Sequence, residues 1–246
     1  MANRLPLRLL DRRLLAPGVL HVSFEHRDGV PLPFKPGQFI QLFFTDTDGQ
    51  EQRRSYSIAN PPPRDQPPMQ WDVAVGLMPG GVASGMLQTL PLGSTLDAGG
   101  PFGRFHLMQG DAPRRFLLVA TGTGVAPFHA MRLELERHCR NGTDVVLLCG
   151  ARTRDELLYR DTFVAMAREI PEFSYRGCLT REAPPADQPE LVSGRVQDTL
   201  ASLVPGRDDL ALLCGNPAMV DDCATWLSQA GLPLRSIRRE RYIASG

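Results

Sequence analysis

An apolar run over residues 116–120, Phe-Leu-Leu-Val-Ala, opens directly into Thr121-Gly122-Thr123-Gly124-Val125-Ala126-Pro127 and then into a helical pattern. This order leaves few folds open. Five consecutive apolar residues read as a strand buried on both faces, which belongs to a parallel sheet. Gly122 and Gly124 let the backbone come close to a diphosphate, and a helix starting near Pro127 aims its N–H groups and positive dipole end at that anion. Proline suits the first helical turn because its missing N–H has no partner there. The spacing is not GxGxxG, so the ordinary dinucleotide fingerprint does not transfer. On this motif alone, a ligand-free strand-to-helix turn remains the alternative.

The pattern around the motif divides the chain of 246 residues in two, consistent with two cores. Residues 19–24, 38–44, 54–58, 71–76 and 94–97 are short β-rich runs broken by Gly, Pro and Asp, which predicts an antiparallel β-barrel with one helix over 82–90. Beyond a polar joint at 111–114, apolar runs at 116–120, 145–149, 174–179 and 210–214 alternate with helices over 126–139, 156–168, 196–203 and 218–230. A closing strand spans 236–243. This predicts a doubly wound α/β domain with a parallel sheet, its ligands at the carboxyl ends of the strands. The expected domains are therefore 1–110 and 111–246.

Charge and cysteine content narrow the function. Twenty-seven basic residues balance 27 acidic ones, so the global positive field of a nucleic-acid or membrane-surface binder is missing. No segment approaches 18 apolar residues and the N-terminus lacks a signal-peptide core, so the chain reads as cytoplasmic. Cys139, Cys149, Cys178, Cys214 and Cys223 form no CxxC and no plant-type ferredoxin spacing, which disfavours disulfides and an iron–sulfur cluster. The five histidines show no metal-ligand spacing, and no metal is expected. His129 reads as a surface or half-buried residue.

Two further motifs carry chemistry. In Arg54-Ser55-Tyr56-Ser57, strand period two puts Arg54 and Tyr56 on one face and Ser57 on the other. A tyrosine ring can stack on a flat heterocycle while the arginine reaches its phosphate. An edge strand with a surface arginine is the bland alternative. Gly80-Gly81-Val82-Ala83-Ser84 starts the barrel's helix, and successive free amides with a hydroxyl make a second anion site. Alternatively, Gly81 only turns the chain and Ser84 caps the helix.

Taken in order, Pro36-Gly37-Gln38, Arg54-x-Tyr56-Ser57, Gly81-x-x-Ser84, Gly100-Pro101-Phe102-Gly103, Thr121 to Pro127, Cys214-Gly215-Asn216-Pro217-x-Met219 and Glu240-x-Tyr242 resemble the ferredoxin–NADP reductase superfamily over nearly the whole chain. The superfamily also holds flavin reductases and oxygenase reductase components. The resemblance implies FAD on the barrel: Arg54 on a flavin phosphate, Tyr56 against the isoalloxazine, Ser57 near the reactive N5, Val73 and Val75 along the ribityl chain, and Gly81, Val82, Ala83 and Ser84 at the pyrophosphate. It implies NADPH, with NADH as the alternative, on the α/β domain through Thr121, Gly122, Thr123, Gly124, Gly215 and Met219, with Arg152, Thr180, Arg181 and Arg195 at the phosphates. Ser57, Cys214, Glu240 and Tyr242 are the implied catalytic residues, Cys214 contributing packing and polarity rather than nucleophilic chemistry. Residues 243–246 extend past the point where plant-type chains stop, so the stacking role of Tyr242 is left open.

The implied activity is hydride transfer from NADPH to bound FAD, followed by single-electron delivery to a ferredoxin or flavodoxin on a separate polypeptide, by a monomer. An NAD(P)H:flavin reductase, an oxygenase reductase component, and a flavin-based redox-sensing module without turnover are the other readings.

Overall fold

The computed structural model describes residues 4–46 and 48–242. Chain contacts divide it into two units: residues up to His106 with Ala126–Met131, and Leu107–Val125 with the chain from Arg132 onward.

The first unit is a six-stranded antiparallel sheet in the order β4-β3-β6-β1-β2-β5, formed by β1 (Leu5–Ala16), β2 (Val19–His26), β3 (Phe39–Thr45), β4 (Glu51–Ser57), β5 (Gln70–Gly76) and β6 (Thr95–Phe102). A bridge from Ile58 to Val73 closes it into a barrel. Asn60 braces that closure: its side chain donates to the Gln70 carbonyl at 3.1 Å and accepts from the Asp72 N–H at 2.8 Å. Alternate residues of β5, Trp71, Val73 and Val75, are fully buried beside Leu7, Phe24 and Ile40. On the opposite face of β5 the Asp72 carboxylate lies 3.2 Å from His21 Nε2. Helix α1 (Val82–Thr89) stops before Pro91, and Arg12 donates to its last carbonyls, Leu87 at 3.0 Å and Leu90 at 2.7 Å.

The second unit holds an all-parallel sheet in the order β10-β9-β8-β7-β11-β12. Its strands are β7 (Arg115–Thr121), β8 (Asp144–Ala151), β9 (Phe173–Leu179), β10 (Leu191–Ser193), β11 (Asp209–Gly215) and β12 (Ile237–Arg241); helix α2 (Ala126–Arg140) is divided between the units at Arg132, and α3 (Arg160–Glu169), α4 (Val196–Ser202) and α5 (Pro217–Gln229) belong to the second. The chain runs outward from β7 through β8 and β9, then returns to β11 on the other side of β7. The switch point therefore lies at the carboxyl ends of β7 and β11, where a doubly wound sheet opens a crevice. At the opposite end, the fully buried Asp209 carboxylate holds Arg115 at 2.7 Å and Arg114 at 3.2 Å.

The two-domain class expected from sequence is the one observed, with local differences. Strand β1 was not expected, because its β-bulges at Leu9/Asp11 and Leu14/Ala16 break the alternation. Strand β10 is three residues long and follows a Pro-rich loop. The helix expected over 156–168 begins only at Arg160, because Tyr159 takes a left-handed conformation, φ +55°, and a short 3-10 turn covers Arg154–Glu156. Strand β12 ends at Arg241, and position 243 of the expected closing strand lies outside the described residues. No described helix is long and apolar enough to cross a membrane.

Candidate functional site

In the first unit, β4 sets Arg54 and Tyr56 opposite Leu42 and Ile40 of β3, so both point to the barrel side of the strand. Both are half-buried. Tyr56 packs on the barrel core, and burial pushes its phenol up to about 12 while Arg54 draws it down. The Arg54 guanidinium stands 5.8 Å from the centroid of the Phe44 ring and donates to the Arg53 carbonyl. Among the described residues it has no carboxylate partner. A half-buried arginine without a counter-charge suits a phosphate. Ser57 ends the strand and is 5% exposed. Its successors are clasped from both sides, Ile58 N–H by the Gln38 carbonyl and Ala59 N–H by the Asp72 carbonyl.

The N-terminus of α1 is the second element of this site. Gly81 is the N-cap and provides no side-chain cap, so the amides of Val82, Ala83 and Ser84 at the start of the helix have no described acceptor. A Cβ at Gly81 would stand 2.8 Å from Ser84 Oγ and 3.0 Å from Met78 Cβ, so the loop is tight enough to require glycine. The Ser84 hydroxyl takes the Met78 N–H at 3.3 Å and donates to the Gly81 carbonyl at 3.1 Å, holding the loop shut. Three oriented amides on a rigid loop are the donor set a pyrophosphate needs. FAD fits the residues present. One part of the expected set is corrected: the Val73 and Val75 side chains lie in the barrel core, so strand β5 can offer a ribityl chain only its backbone at these positions.

In the second unit, two loops meet at the switch point. After β7 the chain makes a 3-10 turn, Gly122–Val125, before α2 begins. A Cβ on Gly124 would overlap the Cys214 carbonyl, and one on Gly215 would stand 2.6 Å from both the Thr121 carbonyl and Thr121 Oγ1. Gly215 also has φ +128°, reserved for glycine. The Asn216 N–H donates to Thr121 Oγ1 at 3.0 Å, and the Tyr242 N–H to the Gly215 carbonyl at 2.8 Å. The two backbones thus approach closely at Gly124 and Gly215, with the Thr121 hydroxyl as the side-chain link between them, leaving Gly122 exposed and Thr123 half-exposed at the crevice.

Three of the four sequence-predicted catalytic residues come together here. Cys214 and Glu240 are opposite each other in the β11–β12 register, and the Tyr242 side chain hydrogen-bonds the Cys214 sulfur. Burial, reinforced by the Glu240 carboxylate, pushes the Cys214 thiol well above its ordinary range, although the Tyr242 bond opposes this. It is a protonated, inert thiol at neutral pH. Ser57 belongs to the first unit. Met219 is also corrected: its side chain lies in the apolar core, and the Asn216 side chain, capping α5, takes the Ala218 N–H and the Met219 N–H.

The expected phosphate-binding arginines differ from one another. Arg152, just past β8, is forked onto Glu156, whose Oε2 also accepts the Arg152 backbone N–H. The Arg152 partnership holds the Glu156 carboxyl below its usual range, against a smaller opposing effect of burial. Arg181, just past β9, and Arg195, at the N-cap of α4, are exposed and have no ion-pair partner among the described residues. Thr180 bonds the Ala151 carbonyl through its N–H at 3.2 Å and its hydroxyl at 3.3 Å. The Arg181 N–H donates to the Arg152 carbonyl at 2.8 Å, so both arginines spring from one joined edge. Sequence reasoning missed Glu156, whose signal is the four-residue spacing from Arg152, and Asn60. His129 is half-buried, its Nδ1 2.7 Å from the Ala59 carbonyl within the first unit.

The chain is similar to known proteins along most of its length. Residues 7–107 match the oxidoreductase FAD-binding domain and residues 118–225 the oxidoreductase NAD-binding domain. The chain is 34% identical over 240 residues to ferredoxin–NADP reductase B of Sorangium cellulosum, covering 96% of each. It is 33% identical over 229 residues to the reductase component of phenol 2-monooxygenase from a Pseudomonas species, covering 91% of this chain but only 60% of that longer one. Among solved structures, an Amycolatopsis cytochrome P450 reductase superposes with a TM-score of 0.82 at 30% identity, over 97% of this chain and 69% of that one.

Proposed function

The chain belongs to the ferredoxin–NADP reductase superfamily and is a flavin oxidoreductase of electron transfer, and from that premise we propose that it draws hydride from NADPH and delivers single electrons to a separate ferredoxin or flavodoxin. The observation that carries this reading is the gathering of Cys214, Glu240 and Tyr242 beside the interlocked glycine loops at the switch point. FAD, when bound, supplies the conversion of a two-electron donation into one-electron steps.

The protein's part is binding and orientation. Arg54 pairs with a flavin phosphate, Tyr56 offers its ring to the isoalloxazine, and the amides of Val82, Ala83 and Ser84 receive the pyrophosphate. Ser57, with its backbone neighbours clasped on both sides, presents a fixed hydroxyl to the reactive edge. On the nucleotide side, Gly122 and Thr123 face the diphosphate and Arg181 reads the 2'-phosphate, which favours NADPH over NADH. The Cys214 thiol stays protonated and shapes the nicotinamide subsite by its size and weak polarity. Glu240 places a carboxylate, and Tyr242 a ring, at the same strand ends. We assign flavin binding to residues 1–110 and nucleotide binding to 111–246.

The resemblance to the phenol 2-monooxygenase component and the cytochrome P450 reductase favours a second reading, in which the acceptor belongs to an oxygenase. Anaerobic stopped-flow reduction of the FAD-loaded protein by NADPH and NADH, followed by mixing with ferredoxin, flavodoxin or an oxygenase component, separates the two. Absence of flavin reduction by either nucleotide would sink both.

A further inference from the structure

Two arginines share the edge past β8 and β9, yet only one has a counter-charge within the described protein. Arg152 is held at Nε and Nη2 by Glu156, while Arg181 is open. Thr121 and Gly150 are register partners in β7 and β8, so Arg152 rises two residues past the strand position beside the Thr121–Gly124 turn. Glu156 also lines the small recess there, with Gly122, Val125, Cys149 and Gly150. A carboxylate aimed at a cation beside a phosphate crevice is unfavourable to the ligand unless the cation can change partners.

We propose that Glu156 is an internal competitor: its carboxylate stands in for a coenzyme phosphate, and Arg152 leaves it for that phosphate when the nucleotide binds. This rests on the assignment of the second unit as the nucleotide site. The competitor can be displaced because the fork is open to solvent on its arginine side, with the Arg152 side chain 61% and the Glu156 side chain 21% exposed, and ion pairs reached by solvent are weak. A phosphate carries more charge than a carboxylate and accepts the same planar fork. The separate bond from Glu156 Oε2 to the Arg152 N–H keeps the loop in place during the exchange. Glu156 thereby lowers coenzyme affinity and favours release of the oxidised nucleotide.

Glu156→Gln tests this, because the amide oxygen can still accept the backbone N–H while the charge is gone. Titration calorimetry of NADP+ and NAD+ into the FAD-loaded protein should show Glu156→Gln tightening at least one nucleotide about two- to fivefold, the range of an exposed ion pair. Arg152→Ala should weaken that nucleotide, and Glu156→Gln added to Arg152→Ala should give no further tightening. Tightening of NADP+ alone places Arg152 on the 2'-phosphate, and equal tightening of both places it on the pyrophosphate; either supports the exchange. Unchanged or weaker binding in a Glu156→Gln protein that melts like wild type would overturn it. Failure of the nucleotide-site assignment would look different, since neither nucleotide would then bind the wild-type protein.

Discussion

The interlock at the switch point can be taken apart with three glycine-to-alanine substitutions, each isolating one physical cost. Gly122 has φ +55° and open space where a Cβ would go, so Gly122→Ala carries only the left-handed backbone penalty, about 1 kcal/mol. Gly124 has no unusual φ, but its Cβ would overlap the Cys214 carbonyl. Gly124→Ala therefore carries an overpacking cost of about 2 kcal/mol, since backbone rather than a flexible side chain must move. Gly215 combines φ +128° with a contact of 2.6 Å to Thr121, and Gly215→Ala should lose about 3 to 5 kcal/mol. At roughly 3 °C per kcal/mol for a chain of this size, the melting temperatures should fall by about 3, 6 and 9 to 15 °C. Calorimetry without nucleotide measures the order. NADP+ titration supplies a second axis, because exposed Gly122 should cost affinity out of proportion to its small effect on stability. A Gly124→Ala protein that melts with or above Gly122→Ala would refute the idea that direct backbone contact holds the loops together.

Arg54→Ala should raise the FAD dissociation constant roughly 10- to 100-fold, the loss of charge-assisted bonds worth about 1.5–3 kcal/mol, as measured by flavin fluorescence titration; an unchanged constant would remove Arg54 from the site. All five cysteines are buried, and burial pushes the thiols of Cys139 and Cys223 up to about 12. A thiol reagent at pH 8 should therefore find less than one reactive group in the native protein and all five after denaturation; rapid native reaction at Cys214 would contradict its assignment as inert. Burial pushes the Asp72 carboxyl up, but donors from His21, Gln70 and Ser23 outweigh it, leaving it below its ordinary 3.8. A depressed carboxyl stabilises the fold above its unfolded value and loses that contribution as pH falls through the folded one. Asp72→Asn should cost about 1–3 kcal/mol at pH 7 in urea unfolding, with the gap to wild type closing as pH falls below the ordinary 3.8 of the carboxyl; a constant gap would show that the loss is not ionic.

What could be read from sequence follows from which interactions are local. The strand–Gly-loop–helix unit at residues 116–140 was legible because burial on both faces and backbone proximity each demand particular residue types in one short stretch. Strand β1 was not, since Asp11, Arg12 and Arg13 break the apolar alternation and its bulges reset the register with β2. Tyr159 could not announce its left-handed backbone, so the start of α3 was placed too early. Val73, Val75 and Met219 were read as cofactor-binding positions, but which way a side chain turns depends on partners far along the chain, and theirs turn into the cores. The Arg152 fork was hidden for a related reason. A four-residue spacing suggests a helical pair, whereas here it spans a turn.

The interlocked loops also limit how such a domain can be redesigned. Because the Thr121–Gly124 turn and the Cys214–Asn216 segment meet through close backbone approach at two glycines and through the Thr121 hydroxyl, the shape of each is the mould of the other. Grafting one of them from a relative to change coenzyme preference would bring in a curve cast against a different neighbour. Transplants should therefore succeed as matched pairs and fail as single loops, and coenzyme engineering has more freedom at Arg152, Glu156 and Arg181, which border the crevice without forming its mould.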